Sequence, residues 1–211
     1  MTTRRPRPPR WGEARSRLEQ IGTWVRARLG GSQPSVPHAL PPLPVALRRA
    51  EVAASYVAAE TAGDHRRAGA AALQAMERAI VAGDWWPADV WAHRALWHFE
   101  RGDQMLQATR VARRIGDLRT AAGDPRSARR YYAEAISEAR DIGAEREEGL
   151  AALGLGRAAL DLGDVTVSRR LAAISLDLLE RCGAPQAERD AARALRGSER
   201  RVSAVNGGVE S

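Results

Sequence analysis

The sequence predicts an all-α chain in which antiparallel helical hairpins stack one upon the next. Three observations carry that expectation. Glycines recur at Gly63, Gly83, Gly102, Gly123, Gly143, Gly163 and Gly183, a step of 20 residues almost without slippage. Three of them begin Gly-Asp pairs, Gly83-Asp84, Gly123-Asp124 and Gly163-Asp164, 40 residues apart. The stretches between are alanine-rich. Glycine adopts the left-handed conformation that ends a helix, and a following aspartate accepts from the free N–H groups of the next. About 17 residues then remain for each helix, roughly 25 Å, and turns this short force antiparallel neighbours.

Taken from the N-terminus, residues 1–10 are Arg/Pro-rich and read as disordered. Residues 11–29 place Trp11, Ala14, Leu18, Ile21 and Val25 at steps of three and four, one face of an amphipathic helix with the arginines mostly opposite. Together, 1–29 form a basic arm. Residues 30–46 are a Pro/Gly-rich linker that cannot continue the helix. Residues 47–196 are the helical repeat domain, and 197–211 read as a disordered tail.

Charge is unevenly spread. Residues 1–30 hold eight arginines and two glutamates, a net +6, which leaves +1 of the chain's +7 for residues 31–211. A nearly neutral body does not support a general nucleic-acid surface there. Lysine is absent, which points to a GC-rich bacterial genome. The lone Cys182 cannot form an internal disulfide and suits a reduced compartment. No apolar run approaches the roughly 18 residues of a membrane span, and the basic N-terminus lacks the apolar stretch of a secretory signal. The expected location is the cytoplasm.

At this spacing the residues resemble the tetratricopeptide repeat, in a long variant with a period near 40. "AMERAIVAGDWWPADVWAHRAL" supplies Gly83-Asp84, Ala88, Trp91 and Ala95-Leu96. "IGDLRTAAGDPRSARRYYAEAI" supplies Ile115-Gly116, Gly123-Asp124, Ala128 and Ala135-Ile136, and "LGRAALDLGDVTVSRRLAAISL" supplies Leu155-Gly156, Gly163-Asp164, Ser168 and Ser175-Leu176. The resemblance covers roughly residues 65–182, with a degenerate helix 46–62 before it and "PQAERDAARAL" as a cap. It departs at Ala72, Ala112 and Ala152, where the family usually carries an aromatic, and at Arg78 and Arg119. It implies a TPR-like α-solenoid that binds partners on its concave surface. The groove positions it implies are Leu73, Glu77 and Ile80, then Arg110, Arg113, Asp117 and Thr120, then Leu153, Arg157 and Leu160. Arg110, Arg113 and Arg157 would clamp a carboxylate or acidic peptide; the competing reading is a solvated face balanced by Glu145, Glu147 and Glu148.

Half of the ten aromatics fall in residues 84–100. The resemblance buries Trp85 and Trp91, whereas Trp86, Val90, His93 and Trp97 form a stripe where the family is polar and exposed. Either that stripe needs a cover, the N-terminal helix, a partner protein or a second copy of the chain, or this hairpin is irregular and its tryptophans are core. The arm residues Trp11, Leu18, Ile21, Trp24 and Val25, set among arginines, also fit an anionic membrane or a phosphate backbone.

Chemistry finds few residues. Asp89 and His93 share a helical face, but two ligands without a third make a weak metal site. No nucleophile–base pair or phosphate loop stands out, and no cofactor is expected. The expected function is a non-enzymatic protein-interaction adaptor. The alternative is a regulator or assembly factor that contacts nucleic acid or membrane through residues 1–29.

Overall fold

The computed structural model describes residues 43, 47 and 51–206, all within one compact unit spanning 36–211. Among them are eight α-helices and no strand: α1 Glu51–Thr61, α2 His65–Ala82, α3 Trp85–Arg101, α4 Met105–Ala121, α5 Pro125–Asp141, α6 Glu145–Asp161, α7 Val165–Arg181 and α8 Gln186–Asn206. Each packs on the next, and α4 also touches α6, and α6 touches α8. The last helix runs to Asn206, into the segment expected as a frayed tail. The arm 1–29 and most of the linker 30–46 lie outside the described residues. Leu43 is buried against the first core cluster.

The turns work largely as their residues dictate. Gly123 sits at φ +74° and donates its N–H to Thr120 O, while Asp124 accepts from Ser127 N at 3.0 Å. Asp64 and Asp164 cap α2 and α7 in the same way. Two turns depart from the expectation. After α3 the left-handed residue is Asp103, at φ +53°, while Gly102 holds φ −87°. Asp84 makes no side-chain cap bond to α3. The residue that would donate is third in the helix, and there it is Pro87, which has no N–H.

Alanines fill most of the helix contacts, with Tyr56, Met76, Trp91, Phe99 and Ile115 as the bulky residues of the first core cluster. Glycines inside helices admit large side chains. A Cβ on Gly116 would lie 2.7 Å from the Tyr132 ring, and one on Gly154 would lie closer still. Tyr132, from α5, is therefore seated against both α4 and α6, with 2 % of its surface exposed.

Candidate binding face

Residues 110, 113, 117 and 120 recur at three- and four-residue steps, so α4 carries them along one face. The structure joins them into a network with a residue of α6. Buried Glu147 accepts from Arg110 Nε at 2.9 Å and from Arg113 Nε at 3.3 Å. Arg113 Nη1 then donates to Asp117 Oδ2 at 3.2 Å, and the Tyr132 hydroxyl donates to Asp117 Oδ1 at 2.9 Å. Thr120 lies 3.3 Å from that hydroxyl. Burial, and then the Asp117 charge, push the Tyr132 phenol upward and keep it a neutral donor.

The three arginines expected to act as one clamp thus behave differently. Arg110 and Arg113 converge on Glu147, whereas Arg157 is exposed without a partner among the described residues. Nor is the balancing acid solvated: Glu147 and Glu148 are buried, and Glu148 accepts from Arg140 Nε and Nη2 at 3.0 and 2.7 Å. Glu145 is exposed and pairs with Arg181 at 3.1 Å. The apolar groove positions pack inward. Leu73 and Ile80 rest on the first core cluster, while Leu153 is buried and Leu160 half-buried in the cluster formed with α7 and α8. Glu77 stays at the surface, 3.8 Å from Arg114.

The aromatic stripe is not one exposed surface. Val90 packs on the core. His93 is half-buried, its Nδ1 2.8 Å from Asp89 O and its Nε2 3.0 Å from the Tyr131 hydroxyl. Trp97 meets His65 and His98 edge-on beneath Arg101. Only Trp86 is open, at 56 %. Trp91 is buried, but Trp85, placed in the interior by the family pattern, is 51 % exposed. It is the first residue of α3, level with the end of α2 beyond Ala79, where no side chain is buried. The arm residues Trp11, Leu18, Ile21, Trp24 and Val25 lie outside the described residues.

Two polar clusters have no counterpart in the sequence reading. Tyr56, Glu60, His65, Arg94 and His98 join α1, α2 and α3. The Tyr56 hydroxyl donates to Glu60 at 2.6 Å and accepts from Arg94 at 2.9 Å. Its remaining lone pair accepts from His98 Nε2 at 3.0 Å, so His98 Nδ1 accepts from His65 Nδ1 at 3.0 Å. Burial, then the neighbouring His65, lowers His98 to about 4, which keeps it neutral. Between α3 and α5, Glu100, Glu134 and Glu138 face one another. Burial and mutual repulsion raise Glu100 and Glu138 to about 7, and the Thr109 hydroxyl donates to Glu138 at 3.1 Å. Their spacing in sequence identifies helical faces but not which faces meet, so no local signal marks either cluster.

Among the described residues, no three His, Cys, Asp or Glu side chains are grouped to hold a metal ion, and no helix is long and apolar enough to cross a membrane. Comparison with protein-family models finds no match, and comparison with curated proteins finds none.

Proposed function

We propose that the chain is a non-enzymatic interaction module of the tetratricopeptide type, acting in the cytoplasm, whose even-numbered helices offer a groove to an acidic peptide. The contacts of α4 with α6 and of α6 with α8 support those helices as the inner side. The exposed, single Cys182 agrees with a reducing compartment.

One observation carries the acidic ligand. Arg110 is anchored through Nε to buried Glu147, its side chain is 42 % exposed, and its two Nη nitrogens have no partner among the described residues. A guanidinium held this way presents its end-on fork to a carboxylate with much of the side-chain ordering already done. Arg113 has less to offer, since Asp117 and Glu147 both occupy it.

The test is fluorescence anisotropy of a labelled glutamate-rich peptide with the full chain. Arg110→Ala should weaken binding at least about tenfold with little change in Tm. Arg110→Lys should restore only part of it, because the charge remains but the fork is gone. Glu147→Gln should also weaken binding, by loosening the anchor. Equal affinity in wild type and Arg110→Ala would overturn the reading.

A further inference from the structure

The turn between α2 and α3 differs from the other aspartate-capped turns in a way that leaves it chemically open. Asp64, Asp124 and Asp164 each accept the N–H of the third residue of the following helix, at 2.9, 3.0 and 3.1 Å. Pro87 denies Asp84 that bond, and the Asp84 carboxylate has no partner among the described residues. Around it lie three of the largest exposed apolar side chains: Val81 at 89 %, Trp85 at 51 % and Trp86 at 56 %. Within the turn itself, residues 81–87, Asp84 is the one charged residue, and Glu77, earlier on α2, lies 3.8 Å from Arg114.

The geometry points to this tip as a docking surface for a basic peptide segment. An arginine or lysine lies over the Trp85 and Trp86 rings with its charge toward Asp84, and flanking apolar side chains rest on Val81. Cations bind tryptophan faces through the ring quadrupole, and a nearby carboxylate adds a direct charge partner. Size argues for a short segment. Two half-exposed tryptophans and a valine offer roughly 300 Å², well short of the about 800 Å² per partner of a standard interface. A second copy bound through this tip alone would not hold. Charge argues against an anionic lipid surface, which a carboxylate amid the tryptophans repels.

This inference is independent of the groove on α4. Its test follows the tryptophan indole N–H resonances of the full chain during titration with acetyl-LRLRL-amide, with acetyl-LELEL-amide as the control. The resonances of Trp85 and Trp86, assigned by substitution, should shift saturably with the arginine peptide alone. Trp86→Ala and Asp84→Asn should each weaken binding at least about fivefold. Pro87→Ser, which returns an N–H to occupy Asp84, should weaken it while both tryptophans remain. Arg110→Ala should leave it unchanged. Equal binding of the two peptides, or unchanged affinity in Asp84→Asn and Pro87→Ser, overturns the inference. So does partition of the tip into vesicles rich in phosphatidylserine in place of peptide binding.

Discussion

Asp103 holds φ +53°, alone among the described non-glycine residues in being left-handed. Aspartate tolerates that region better than most side chains, yet still less well than glycine. Asp103→Gly should therefore stabilise the chain by about 0.5–1 kcal/mol, read from urea denaturation, whereas Gly123→Val at φ +74° should cost at least about 1 kcal/mol. A neutral Asp103→Gly would mean that the aspartate gains from its own side chain what its backbone loses. The glycine step of 20 made these turns legible, and the lag was visible too: position 103 keeps the register, and Gly102 falls one place early. The uncapped Asp84 was equally readable. "GDWWP" puts proline where "GDPRS" and "GDVTV" leave an N–H. What mattered was the identity of the third residue after the aspartate, not the Gly-Asp pair.

Among the helices, α5 is seated against both α4 and α6 through Tyr132. The Tyr132 ring fills the space that Gly116 and Gly154 leave, and its hydroxyl reaches Asp117. Alanine in place of glycine within a helix normally gains about 1 kcal/mol. At Gly154 the new Cβ would meet the ring, so Gly154→Ala should instead destabilise by about 2 kcal/mol. Tyr132→Leu removes the obstacle, and the double variant should lose clearly less than the two single losses combined. Additive losses would show that the ring is not what Gly154 accommodates. Gly116 was marked in advance by its place beside Ile115 in the repeat pattern. Gly154 was not, because nothing local says which side chain arrives from α5. The same gap left Glu147 undistinguished from Glu145 and Glu148 among the balancing acids: the spacing of Arg110, Arg113, Asp117 and Thr120 defined a face, but which acid reaches it from another helix, 34 to 37 residues from the two arginines, has no local signal.

Over the whole molecule, buried titratable groups act on stability in opposite directions. His98 is lowered to about 4 from the ordinary 6.5, so between those values the unfolded chain binds the extra proton. Stability then falls as pH drops from 6.5 toward 4. Glu100 and Glu138 are raised to about 7 from 4.5, so there the folded chain binds more protons. Their contribution is full below 4.5 and is lost as pH rises through 7. The two carboxyls are coupled through Glu134, and they titrate as a group more than as separate sites. About a unit above pH 6.5 the histidine is neutral in both states, and of these groups only the carboxyls then tilt the curve. Glu138→Gln keeps the shape and an oxygen to accept from Thr109, but carries no charge. Its advantage over wild type should be near zero at pH 4.5 and grow to about 2 kcal/mol by pH 8, measured by urea denaturation across the range. The difference accrues between pH 4.5 and 7, where Glu138 is ionised in the unfolded chain and still holds its proton in the folded one. An advantage that is flat with pH would mean that Glu138 ionises equally in both states, and that α3 and α5 meet without the burial that sets its proton.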